Sequence, residues 1–88
     1  MDIEREKIRW ACRRGMLECD LFLVPFFEQC YDKLSNADKE IFQKLLVESD
    51  AFIFAWLMQT EEPECQAYAP IIAKIRSHKL SLPTTQSL

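Results

Sequence analysis

The chain has 88 residues, 49% of them hydrophobic and 28% charged, with a net charge of -3. At this size a chain buries about 60–65% of its unfolded surface, which leaves no room for a second domain or a deep, enclosed active site. Residues 15–64 carry eleven acidic groups against three basic ones, flanked by a net +2 in residues 1–14 and a net +3 in residues 65–88. An acidic middle of this kind excludes the continuous basic stripe that binding a nucleic acid backbone requires.

The single glycine among the 88 residues, and the absence of period-2 alternation, leave helix as the one regular structure with a signal. The first helix is predicted over Ile3 to Arg14, with Asp2 as N-cap and Gly15 as the left-handed residue that closes it. A second helical stretch runs from Met16 to Leu34 and should be kinked or split at Pro25. Ser35, with Asp38 three residues on, is a capping-box-like start for a third helix over Asn36 to Glu48. Asp50 or Ser49 caps a fourth helix that ends near Gln59. The acids and proline of "TEEPE" open a fifth, from Glu64 to His78, with a bend expected at Pro70. The tail from residue 81 to 88 has no periodicity and is expected to be disordered. The expected fold is therefore all-α, a five-helix bundle in one domain over residues 1–80.

The four cysteines at positions 12, 19, 30 and 65 contain no CxxC pair, and His78 is the sole histidine. That spacing gives no zinc site, so Cys12, Cys19 and Cys30 read as small core side chains in a reducing compartment. The charged start MDIEREKIRW is no signal peptide, and the apolar run from Ala51 to Met58 is too short to span a bilayer. The expectation is a cytoplasmic protein that binds no metal, nucleic acid or membrane.

Helical phase sorts the side chains. Ile8, Ala11, Cys12 and Gly15 form the core line of the first helix. Ile3, Lys7, Trp10 and Arg14 form a second line that mixes an aromatic with cations, a composition common at protein interfaces. The plainer alternative is that Trp10 tucks into the bundle edge with Lys7 lying over it. In the second stretch Met16, Cys19, Leu23, Phe26, Phe27, Cys30 and Leu34 read as core. Leu21, Phe22 and Pro25 flank Glu18 on the wet side, a pattern that suggests a contact surface. The remaining core is expected from Ile41, Phe42, Leu45 and Leu46, then Phe52, Ala55, Trp56 and Met58, then Tyr68, Ile71, Ile72 and Ile75. There is no Gly-rich phosphate loop and no Ser/His/Asp set, and Glu18 has no convergent acid/base partner. By themselves the residues describe a small helical interaction module; the acidic middle is either solvated helix faces or a surface that steers a charged partner.

Arg14-Gly15-Met16-Leu17-Glu18 matches an RGxxE motif, set within "WACRRGM", Asp20, "PFFEQCYDKLS", "DKEIFQKLL" and "WLM". With these flanks the chain resembles, from about residue 2 to 78, the SdhE family of FAD assembly factors of succinate dehydrogenase. The resemblance implies a five-helix fold with no cofactor of its own. It implies binding to the flavoprotein subunit of succinate dehydrogenase, and of fumarate reductase, and promotion of covalent FAD attachment to a histidine of that subunit. It carries Arg14, Gly15 and Glu18 over as the functional core, with Asp20 among the matching flanks; the helix faces add Trp10, Lys7, Leu21, Phe22 and Pro25 to the expected partner-binding surface. Cys19, Leu21 and Phe22 are not motif positions, and the fifth helix matches least. On this reading Gly15 turns the chain and also lets the partner approach. The attack of histidine on the flavin 8α carbon belongs to the flavoprotein, and the assembly factor favours the conformation in which the two meet. Arg14 and Glu18 anchor the partner, with proton transfer by Glu18 as the weaker alternative. Some relatives implied by the same resemblance are antitoxin components, so a membrane-associated toxin is the competing partner. The free chain is expected to be monomeric.

Overall fold

The computed structural model describes residues 3–81, which form five α-helices: α1 (Ile3–Ala11), α2 (Leu17–Cys30), α3 (Asn36–Leu45), α4 (Asp50–Leu57) and α5 (Tyr68–Ser81). A single 3-10 turn, Tyr31–Lys33, extends α2 before the chain reverses. The expected Asp2 cap and the tail beyond Ser81 lie outside the described residues; Ser81 itself closes α5. Helix α2 lies at the centre and packs against α1, α4 and α5, while α5 also meets α3 and α4.

Helix α2 is not split at Pro25, which sits inside it. Proline in a helix interior costs about 3 kcal/mol. Leu23 before it and Phe26 and Phe27 after it are all at most 2% exposed. Each such burial contributes about 1.5–3 kcal/mol, so the tertiary gain outweighs the local loss. Ser35 caps α3 as expected, and of the two candidates for α4 Ser49 is the cap, with Asp50 the first helical residue. Ser35 Oγ accepts from the Asp38 N–H at 3.1 Å, and Ser49 Oγ from the Phe52 N–H at 3.4 Å.

The helix ends differ from the sequence expectation in instructive ways. Helix α1 stops at Ala11, three residues short of Arg14. Cys12 N–H is shared between the Ile8 and Arg9 carbonyls, Arg13 N–H bonds Trp10, and the chain then leaves the helix because Arg14 is held elsewhere. Helix α3 likewise stops at Leu45 and passes into turns at Val47 and Glu48. Helix α5 begins at Tyr68, not Glu64. The ring of Pro70 would strike the carbonyl of residue 66 in a helix that began there, so Pro70 belongs in the first turn, where its missing N–H costs nothing. Glu61, Glu62 and Glu64 consequently remain in the loop.

The core contains Cys12, Cys19, Leu23, Phe26, Phe27, Tyr31, Phe42, Leu45, Leu46, Trp56, Tyr68, Ile71, Ile72 and Ile75, with Ile53 and Leu57. Phe26 lies 5.7 Å from Phe42 and Phe27 4.9 Å from Tyr31 by ring centroids, tilted pairs that tie α2 to α3 and the 3-10 turn. Ile8, Ala11, Met16, Cys30, Leu34, Ile41 and Met58 pack against this core while partly exposed. Three positions correct the sequence phases. Phe52 is 51% exposed and Ala55 lies outside the core, while Ile53 and Leu57 occupy the interior instead. The sequence of α4, DAFIFAWL, is apolar on nearly every side, so periodicity gives no phase there. Gly15 is exposed, since α1 ends before it and it never joins that helix's core line.

Candidate functional site: the Gly15 loop and the first turns of α2

The α1–α2 connection is an irregular loop held from behind by one side chain. Arg14 turns inward, its side chain 14% exposed, and Nε pairs with Asp50 Oδ1 at 2.6 Å. Nη1 donates to the carbonyls of Leu46 at 2.6 Å and Ala11 at 3.1 Å, and Nη2 to that of Glu48 at 2.7 Å. Leu46 and Glu48 lie just past the end of α3, where helix carbonyls have no intrahelical partner. The guanidinium fork satisfies them and fastens the loop to the α3–α4 turn, a role that lysine, with a single ammonium, could not reproduce. Asp20, one turn into α2, completes the arrangement: its Oδ1 accepts from the Arg14 N–H at 2.7 Å.

Between these anchors Gly15 adopts φ +83°, and a Cβ built there would meet no atom within 4 Å. Met16 follows in extended conformation and opens α2 without a side-chain cap. Glu18, in the first turn, is exposed and forms no hydrogen bond or ion pair among the described residues. Its charge suits a helix N-terminus. Leu17 and Leu21, 66% and 47% exposed, flank it. Leu21 and Pro25 line a shallow groove of about 250 Å³ with Arg13, Asp20 and Val24. Phe22 instead packs against the core.

Arg14 and Glu18 therefore do not converge on the outside: one braces the loop, the other projects from it. Trp10 stands out from α1 at 66% exposure. Lys7 lines a separate groove between α1 and α3, beside Gln43 and Val47. Helix α1 is kept on α2 by Arg5, bonded to Asp32 at 3.0 and 3.1 Å and lying 4.8 Å from the Phe27 ring centre, and by Arg9, 3.3 Å from Glu28. The hydrogen bond from Arg5 holds the Asp32 carboxyl below its ordinary range. Leu17 and Val47 were missed from sequence. For Leu17 a signal existed, since it lies four residues before Leu21 and shares its face.

What this surface offers chemically is one exposed carboxylate among exposed apolar side chains. Burial pushes the Cys12 thiol up to about 12 and the Cys19 thiol to about 11, so neither forms a thiolate nucleophile near neutral pH.

Comparison with known proteins shows the family of the chain as a whole. Residues 6–79 match the family described as "flavinator of succinate dehydrogenase". The chain belongs to that family. It is 46% identical over 78 residues to the FAD assembly factor SdhE of Vibrio vulnificus strain YJ016, covering 89% of this chain and 91% of the relative. It is 45% identical to the FAD assembly factor SdhE of Serratia sp. strain ATCC 39006, covering 88% and 89% of the two chains. A solution structure of a UPF0350 protein, 41% identical, superposes with a TM-score of 0.73 over 92% of this chain and 87% of that one. That structure shares this helical architecture, and no helix among the described residues is long and apolar enough to cross a membrane.

Proposed function

We propose that this protein binds the flavoprotein subunit of succinate dehydrogenase and promotes covalent attachment of FAD to it, acting as an assembly factor with no catalytic constellation or bound cofactor of its own. The observation that carries the reading is the Gly15 loop, open to solvent on one side and braced by Arg14 on the other. A preformed loop meets its partner without an ordering cost, so its binding energy is free to favour one conformation of the flavoprotein. Glu18, Leu17 and Leu21 supply the charged and apolar contacts and Trp10 of α1 a further exposed one, while Arg14 and Asp20 act as positioning residues. FAD is the substrate of the assembly reaction, and the bond to it forms on the flavoprotein. The same surface serves the fumarate reductase flavoprotein as a second client, and the protein works as a cytoplasmic monomer. Relatives described as FAD assembly factors favour this reading over an antitoxin-like regulator.

The test is covalent flavin on the flavoprotein, read as fluorescence in a denaturing gel, with and without this protein. Wild type should restore it, and Gly15→Arg, which keeps its helicity by circular dichroism, should not. Equal flavin content with and without the protein would sink the proposal.

A further inference from the structure

The acids left in the α4–α5 loop do not simply face water. Glu61, Glu62 and Glu64 rim a groove of about 320 Å³ whose floor is aromatic, formed by Phe52, Trp56 and Tyr68. Phe52 stacks on Trp56 at 5.9 Å between centroids and 8° between planes, and Trp56 lies 5.6 Å from Tyr68. More than half of Phe52 stays exposed. None of the rim carboxylates is paired with a cation among the described residues. Arg76, which lines the adjoining groove with Glu61 and Glu62, donates to the carbonyl of Leu57.

Two independent features select the same ligand class. Unpaired carboxylates attract a cation by charge, and the open face of Phe52, backed by the buried rings of Trp56 and Tyr68, attracts it through its quadrupole. A planar guanidinium satisfies both, since it stacks on a ring while donating to carboxylates at its edge. The volume is at the small end for ligand sites and suits one or two extended side chains. The groove also joins the site already described. Its fourth acid, Glu48, accepts from the Tyr68 hydroxyl at 2.9 Å, and the Glu48 carbonyl is one of those gripped by Arg14.

We infer that this groove docks an arginine-bearing segment of the partner flavoprotein, a second contact beyond the Gly15 loop; the inference rests on the function proposed above. The deciding measurement is the affinity of this protein for the flavoprotein subunit at low and high salt. Replacing the rim acids together (Glu61→Gln, Glu62→Gln, Glu64→Gln) should weaken binding about tenfold at low salt and flatten its salt dependence. Phe52→Ala should weaken it about fivefold at both salt concentrations. Unchanged affinity and salt dependence in the rim variant, while Glu18→Ala still weakens binding, would overturn the inference and leave the proposed function standing. Concentration-dependent self-association that the rim variant abolishes would assign the groove to a second copy and also overturn it. If the flavoprotein does not bind at all, the proposed function falls and a simpler probe decides the groove. A capped glycine–arginine pentapeptide should then shift the amide resonances of Phe52 and Glu61 to Tyr68, and its citrulline counterpart should not. Absent shifts, or equal shifts with both peptides, would refute an arginine site.

Discussion

Gly15 and Gln59 are the two positive-φ residues of the described chain, at +83° and +62°, and they solve the same problem differently. Gln59 ends α4 in a Schellman closure: its N–H bonds the Trp56 carbonyl at 3.2 Å and the Thr60 N–H bonds that of Ala55 at 2.9 Å. Its φ lies near the left-handed minimum, and the paired bonds compensate the penalty of about 1–2 kcal/mol for a residue with a Cβ. The Gly15 loop has no such backbone closure. Its φ is further from the minimum, and it is shaped by side chains that arrive from α2 and the α3–α4 turn. The φ of the Gly15 turn, without that compensation, already favours glycine where the Gln59 turn carries a side chain. The space over Gly15 is also open, and the proposed function requires a partner to enter it.

The comparison breaks most readily at Arg14. Arg14→Ala removes the donors for three carbonyls and leaves Asp50 unpaired, a loss of about 3 kcal/mol from a domain with about 5–10 kcal/mol in total. Urea denaturation should show that loss, and flavinylation should fall with it because the loop is no longer held. Arg14→Lys should recover little of either. A loss below about 0.5 kcal/mol in Arg14→Ala would mean that the brace is incidental. Next in size is Gly15→Gln, which places the residue type of the second turn in the first. It should cost about 1–2 kcal/mol, fold normally, and fail to support flavinylation. Retained activity at that stability would show that the open space has no functional use.

Glu18→Ala touches only the outward side. Stability should change by about 0.5 kcal/mol or less, the residual helix-dipole contribution of an exposed acid. Flavinylation should drop about tenfold or more at limiting protein, as for a truncated contact residue, with no change in circular dichroism. Unaltered flavin content would remove Glu18 from the contact surface.

Much of this was legible in the sequence, because the caps at Ser35 and Ser49 and the stripe through Cys19, Leu23, Phe26 and Phe27 are local patterns. The role of Arg14 was not. Its partners at residues 46, 48 and 50 lie 32 to 36 positions away, and no helical period links them to it. Reading it on the outward line with Lys7 and Trp10 assumed that α1 reached residue 14, whereas the tertiary bonds end that helix early. The phase of α4 was lost for the opposite reason, an excess of apolar residues. Taking Pro70 as a bend rather than a start hid the acidic loop, and with it the groove floored by Phe52.

The smallest effect expected is also the sharpest control. Gln59→Gly removes the left-handed penalty at the α4 closure but gives the unfolded chain more freedom, which cancels roughly half the gain. A net stabilisation of about 0.5 kcal/mol should remain, seen as a rise of about 0.5 M in the urea midpoint at a slope of about 1 kcal/mol per M. Flavinylation should be unchanged, because the closing backbone bonds persist and the Gly15 loop is untouched. Paired with Gly15→Gln, it exchanges the two residues between the two left-handed positions. If the position outside the braced loop proved the more sensitive for activity, the difference between the turns would be one of local geometry, and the case for partner approach over Gly15 would fail.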